Sequence, residues 1–149
     1  MNILFVCTGN TCRSPVMSAI FNKQAKKMGL GGLKATSAGL FATDGLPMSE
    51  NSKVALRALG VRVPKHKARK LTREIYNKAD LVICVTDDHR RTLLETFPND
   101  RKIQSIKSFV GLDDLDDPYG KNESHYYAMA RKAEVAVVKI IEKLSGEQK

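Results

Sequence analysis

Apolar positions along this chain follow two rhythms: short unbroken runs, and longer stretches spaced by three or four. Ile3-Leu4-Phe5-Val6 is an unbroken run, and residues 2–6 read as a buried strand. Ser14-Pro15 then opens a helix, proline being tolerated in a first turn where a missing N–H has no partner to lose. Met17, Ile20, Phe21, Ala25 and Met28 follow at helical spacing, and Gly29 is a natural stop. Residues 33–38 read as a second strand ended by Gly39, 47–59 as a helix closed by Gly60, and 72–78 as a short helix. Leu81-Val82-Ile83-Cys84-Val85 is apolar at every position, as a central strand covered on both faces should be. Thr86-Asp87-Asp88 resembles a helix N-cap with acids in the first turn, and Phe97-Pro98 ends that helix. Residues 102–106 read as a weaker fourth strand. A last long helix spans 124–144, with Ala130, Ala133, Val137, Ile141 and Leu144 on one stripe. Strands alternating with helices predict an α/β three-layer sandwich, a parallel sheet with helices on both faces. Ligands of such sheets bind beyond the carboxyl ends of the strands.

No repeat, low-complexity tract or linker divides the 149 residues, so one domain over 1–149 is expected. No apolar stretch reaches the ~18 residues of a membrane span, and Met1-Asn2-Ile3-Leu4 lacks the basic start of an export signal. Three cysteines are too few for a disulfide framework, which suits a reducing cytoplasm. The formal charge of +9 favours anionic partners. The densest basic run, Lys65-His66-Lys67-Ala68-Arg69-Lys70, has no aromatic interleaved for base stacking. It reads first as a solvated basic face, next as a rim gathering phosphorylated substrates, and nucleic acid is disfavoured.

Chemistry concentrates in Cys7-Thr8-Gly9-Asn10-Thr11-Cys12-Arg13-Ser14, the loop between the first strand and the first helix. A cysteine and an arginine at this spacing can wrap one phosphate: a thiolate attacks phosphorus while the arginine fork and loop amides hold the oxygens. Three features are expected to lower the Cys7 pKa: backbone amides at the positive end of a helix, Arg13 alongside, and the Ser14 hydroxyl as donor. Gly9 permits close backbone approach, and Asn10 tolerates a left-handed conformation and can brace the loop. A Cys-x5-Arg pair alone is weak, since Cys7 could be a buried structural thiol and Arg13 a surface residue. The preceding strand, the Gly-Asn interior and the Ser-Pro helix start together favour the phosphate reading. A leaving group needs a proton, and Asp113-Asp114-Leu115-Asp116-Asp117-Pro118-Tyr119-Gly120 offers four carboxylates. Asp117 is the best placed, beside a rigid proline and with Tyr119 as an apolar wall. Asp113 and Asp114 read as a solvated turn.

The chain resembles the low-molecular-weight protein phosphatases from end to end. The resemblance rests on Cys7 through Pro15, on Ser37-Ala38-Gly39 and on Asp117-Pro118-Tyr119. It implies Cys7 as nucleophile, Arg13 as the phosphate-binding and transition-state-stabilising cation, and Asp117 as general acid and later base. It also implies Thr8, Gly9, Asn10, Thr11, Cys12 and Arg13 as the phosphate cradle, Asn10 and Ser14 as supports of the thiolate, sheet order 2-1-3-4, and no metal or cofactor. Phosphorylated proteins are the expected substrates, and a monomer is the expected state.

Tyrosine-directed members of that family usually carry a bulky aliphatic where this chain has Thr11, and many carry a second tyrosine where Gly120 stands. Both departures resemble the protein-arginine phosphatase branch. A hydroxyl and a nearby carboxylate suit the polar, planar guanidinium of phosphoarginine, whereas an aliphatic would pack on a phenol ring. Phosphotyrosine remains the alternative, with Thr11 merely tolerated. Leu40 is expected to add a pocket wall, and Phe41 either a wall or core packing. Cys12 reads either as an oxidation partner of Cys7, as resemblance to thiol-regulated relatives suggests, or as a small hydrophobe. Arsenate reduction, on the same loop, would need two further cysteines near the third strand, where only Cys84 lies, better read as a core thiol. A phosphoprotein-binding module without catalysis is a further class, against which Cys7, Arg13, Ser14 and Asp117 speak together.

Overall fold

A computed structural model describes residues 1–147. Its order is β1 (Asn2–Cys7), α1 (Arg13–Lys27), β2 (Lys34–Gly39), α2 (Glu50–Ala58), α3 (Arg73–Asn77), β3 (Leu81–Cys84), α4 (Asp87–Thr96), β4 (Ile103–Ser105), α5 (Ile106–Val110) and α6 (Glu123–Glu147). The four strands are parallel in the order β2-β1-β3-β4. Register pairs Cys7 with Gly39, Val6 with Cys84 and Cys84 with Ser105, so the strand ends that carry chemistry are level.

Alternation along the strands sorts side chains onto two cores. Ile3, Phe5 and Ile83 face a larger core built with α1, α2 and α6, including Val16, Met17, Leu56, Val137 and Ile141. Leu4, Val6, Val82 and Cys84 face a smaller one with Tyr76 of α3 and Leu93 of α4. This is the three-layer arrangement that the hydrophobic pattern predicts. Among the described residues, no helix is long and apolar enough to cross a membrane.

Local chemistry adjusts several boundaries. The helix read over 47–59 starts only at Glu50, because the Ser49 side chain accepts from the Ser52 N–H and caps it. Ile106, read as the end of the fourth strand, is instead the first residue of α5. Ser105 and Ser108 form a reciprocal capping box, so strand passes directly into helix, and Gly111 closes the turn at φ 74°. Met28 is the C-cap of α1 and is exposed rather than part of its apolar stripe.

Gly39 ends β2 under a tight constraint. A Cβ built there would lie 2.5 Å from the Thr8 carbonyl oxygen and 3.0 Å from the Asn10 nitrogen. Only glycine lets the sheet edge lie directly beneath the Cys7–Arg13 loop. Further along the same edge, the Asn22 side chain acts as a substitute strand. Its Nδ2 donates to the Ala35 carbonyl (3.0 Å), and its Oδ1 accepts from the Ala35 N–H (2.8 Å).

Candidate active site

β1 delivers Cys7 to the bottom of a concave loop, and α1 begins at Arg13. The thiol is buried. Its Sγ lies 2.7 Å from Ser14 Oγ and accepts from the Asn10 N–H at 3.3 Å. Asn10 takes the left-handed conformation at φ 58°, which turns its N–H inward and points its side chain behind the loop.

That side chain is fully engaged. Nδ2 donates to Ser14 Oγ (2.8 Å) and Ser37 Oγ (2.9 Å), while Oδ1 accepts from the Arg69 N–H (3.0 Å). Because an N–H can only donate, Arg69 fixes which way the amide faces. Ser14 Oγ therefore receives a hydrogen from Asn10, and toward a Cys7 thiolate, which can only accept, its own hydrogen is the donor. The Asn10 carbonyl accepts from His66 Nε2 at 2.7 Å, so that nitrogen carries a hydrogen.

The balance at Cys7 differs from the sequence expectation. Burial pushes the thiol up from its ordinary value, and this outweighs the rest. The Ser14 hydroxyl, the Ser14 and Asn10 backbone N–H groups and the Arg13 charge each pull the other way, as anticipated.

Arg13, also buried, joins two distant segments. Nη1 donates to the Leu115 carbonyl at 3.1 Å, and Nη2 lies 3.5 Å from Thr8 Oγ1 and 3.6 Å from Asp117 Oδ2. Asp117 thereby stands at the loop despite its distance in sequence. Its side chain is about half exposed (55%), and its Oδ1 accepts from the Tyr119 N–H at 3.1 Å, an Asx turn that sets the carboxylate. Pro118 is buried and anchors the turn, while Tyr119 is 79% exposed. Asp114, read as a solvated turn residue, instead accepts from the Asp87 N–H at 3.0 Å and caps the start of α4. Asp113 is exposed.

Thr11 is half-buried in the loop wall, and its carbonyl accepts from the Ser49 N–H at 3.0 Å. The Thr11 hydroxyl makes only a 3.7 Å contact with Cys12 Sγ among the described residues. Cys12 is buried, 3.4 Å from Ser49 Oγ and 3.9 Å from the Tyr126 hydroxyl. Gly9 is partly exposed, and Thr8 is exposed at the rim. The backbones of Leu40 and Phe41 lie against the loop, donating to the Cys7 and Thr8 carbonyls at 2.9 and 3.0 Å. Their side chains line a separate groove with Leu71, Leu93 and Phe97, and Leu40 packs on the smaller core. Phe41 is 71% exposed, which removes the core-packing reading for it. Cys84 faces that smaller core, on the opposite side of the sheet from Cys7, and burial pushes its thiol up to about 12.

Three supports escape a reading by motif. His66 and Arg69 come from the run read as a solvated basic face, yet both hold Asn10; their charge gave no hint of this. His89 is buried, with Nε2 2.8 Å from Thr8 Oγ1 and Nδ1 2.7 Å from Thr86 Oγ1. Its only sequence signal is its place three residues after the Thr86 N-cap. Among the described residues, no group of three or more His, Cys, Asp or Glu could hold a metal ion.

The set as a whole offers a sulfur at the base of an amide-lined bowl, a cation at its side and a carboxylate at its mouth. Such a set can hold a tetrahedral oxyanion, present a nucleophile to its central atom and exchange a proton with the departing atom. Residues 2–149 match the family model described as low molecular weight phosphotyrosine protein phosphatase. The chain is 38% identical to a protein-arginine-phosphatase of Geobacillus stearothermophilus, over 98% of this chain and 97% of that one. It is 35% identical to a low molecular weight protein-tyrosine-phosphatase of Staphylococcus haemolyticus, over 85% and 87%. A crystal structure of a low molecular weight protein tyrosine phosphatase from T. tengcongensis superposes with a TM-score of 0.90 at 40% identity, covering 96% of this chain and 99% of that one.

Proposed function

The chain belongs to the low molecular weight phosphotyrosine protein phosphatase family, and from that membership we propose that it removes phosphate from phosphoarginine in proteins through a phosphocysteine intermediate. In the first step Cys7 Sγ, as thiolate, forms a bond to phosphorus while the phosphorus–nitrogen bond to the guanidinium breaks. Asp117 gives its proton to the departing nitrogen. In the second step Asp117 takes a proton from water, whose oxygen attacks phosphorus and displaces the Cys7 thiolate, releasing inorganic phosphate. Arg13 and the amides of residues 8–13 hold the phosphoryl oxygens, where charge spreads in the transition state. Ser14 and Asn10 supply the hydrogen bonds that favour the thiolate over the thiol.

The observation that carries the arginine assignment is Thr11. Among the described residues its hydroxyl makes only the long contact with Cys12 Sγ, which leaves it available to a guanidinium N–H. A site that hydrogen-bonds its substrate discriminates strongly against analogues lacking the group. Similarity to a protein-arginine-phosphatase adds support, but a tyrosine phosphatase is nearly as similar, and phosphotyrosine is the second reading. Comparing kcat/KM on phosphoarginine and phosphotyrosine peptides, with Cys7→Ser as blank, tests the assignment. Phosphoarginine should be preferred, and Thr11→Ile should shift the ratio by about tenfold or more toward tyrosine. A wild-type preference for phosphotyrosine overturns the arginine reading.

A further inference from the structure

Apart from the Cys7 bowl, a groove of about 680 Å³ lies behind the loop, between α1, the outer edge of β2 and residues 60–69. A cavity of this volume is the size of a small-molecule site. Six cations line it: Lys23, Lys26, Arg62, Lys65, Lys67 and Arg69; among the described residues no aspartate or glutamate does. None of the six has a carboxylate within 4.0 Å among the described residues.

A run of lysines on a convex surface spreads its charges into water. Here two segments far apart in sequence bring their cations to one concavity, where low-dielectric walls focus the positive potential. Lys23 and Lys26 lie three apart on α1 and so share a face. Lys23 Nζ donates to the Gly60 carbonyl at 2.7 Å, which ties that face to the segment carrying the other four. Arg69 has its Nε on the Ser37 carbonyl at 2.9 Å, and its terminal nitrogens have no protein partner among the described residues. Uncompensated like charges held together in this way are stabilised by an anion that bridges them. One charge would leave most of the six unmatched, whereas a chain of linked phosphates would engage several.

The groove also shares its wall with the reaction centre. Ser37, His66 and Arg69 line it, and these are the residues that hold the Asn10 side chain and carbonyl. We propose that this groove binds a small oligophosphate anion, as a nucleotide or as an inorganic chain, and that occupancy is transmitted to Cys7 through Asn10. Binding stands independently of which phosphoester or phosphoamide the Cys7 site cleaves.

Calorimetric titration with inorganic tripolyphosphate and with ATP tests the site, using protein whose Cys7 bowl is filled beforehand with orthovanadate. One equivalent should bind, and the Lys26→Glu/Lys65→Glu double variant should bind about tenfold or more weakly, since each reversal replaces an attraction with a repulsion. Both side chains are exposed, so the variant should retain the wild-type melting temperature. Tighter binding of ATP than of tripolyphosphate identifies a nucleotide, and equal binding the inorganic chain. Binding abolished by orthovanadate, or unchanged in the double variant, overturns the site. Transmission is read from the alkylation rate of Cys7 by iodoacetamide without orthovanadate. That rate should respond to the ligand differently in wild type and double variant, and identical responses overturn the coupling. Neither readout depends on turnover, so a failure of the phosphatase assignment would be seen separately.

Discussion

Ser14 is the side chain on which the state of Cys7 depends most directly. It opposes burial both through its hydroxyl at 2.7 Å and through its backbone N–H. Replacing it with alanine removes the hydroxyl and leaves Asn10 Nδ2 one acceptor short. The pH at which Cys7 becomes alkylable should rise, and kcat/KM should fall by about a hundredfold, as when one donor to a reacting anion is deleted. An unmoved alkylation profile would show that Ser14 does not hold the thiolate. His89 carries a second residue-scale consequence. Burial, and then the Arg13 charge, hold its imidazole at about 4 against an ordinary 6.5, with Asp117 pulling the other way. Between those values the unfolded chain binds a proton that the folded chain refuses. The stabilisation is therefore complete above about pH 6.5 and is lost as pH falls toward about 4. Between about pH 7 and about pH 5 this amounts to roughly 2 kcal/mol. Melting temperatures at the two pH values should converge in His89→Gln relative to wild type; an equal acid drop in both would remove His89 as the cause. Cys7, Arg13 and Ser14 stand out in the sequence because their spacing fits a phosphate cradle, and Asp117 because it precedes a rigid proline; the structure brings Asp117 to the loop. His66, Arg69 and His89 do not stand out, because they act through a ring nitrogen or a backbone N–H on partners 56, 59 and 81 positions away.

At the scale of elements, hydrophobic rhythm located every strand and all helices but one. α5 escaped because it is only five residues long and starts where the strand pattern has not yet stopped. The Ser105–Ser108 capping box, rather than periodicity, decides that boundary. The start of α2 shifted for a related reason, a serine cap two residues past Pro47. The end of β2 shows how an element can constrain a site without touching substrate. Gly39→Ala would drive a methyl group into the Thr8 carbonyl, so the strand end or the loop must move. The change should cost about 1–3 kcal/mol, as overpacking of a tight site does, and lower kcat/KM more than a remote substitution of equal cost. Urea unfolding together with turnover checks both parts. Full activity at reduced stability would show that the loop does not rely on this close approach.

Across the whole molecule, the sheet separates the buried Cys84 thiol by face from those of Cys7 and Cys12, and brings Arg13 and Asp117 together from distant parts of the chain. Arg13 is the clasp, bonded to Leu115 and facing Asp117. That juxtaposition follows from a parallel topology in which the strand ends are level, and sequence spacing alone does not contain it. The basic groove was equally hidden: net charge is a sum, whereas the groove is an arrangement. The Asn22 pairing has its own meaning at this scale. An outer strand with free N–H and carbonyl groups is a template on which another copy can add a strand, and proteins that stay apart must block it. Asn22 does so at Ala35 with a side chain, and Arg69 takes up the Ser37 carbonyl two positions on. Asn22→Ala should leave Ala35 open and produce concentration-dependent association, seen by light scattering as protein concentration rises; a variant as dispersed as wild type would mean that the edge is guarded elsewhere. One amide on α1 thus occupies both backbone groups of Ala35, at the position where the sheet would otherwise be extendable.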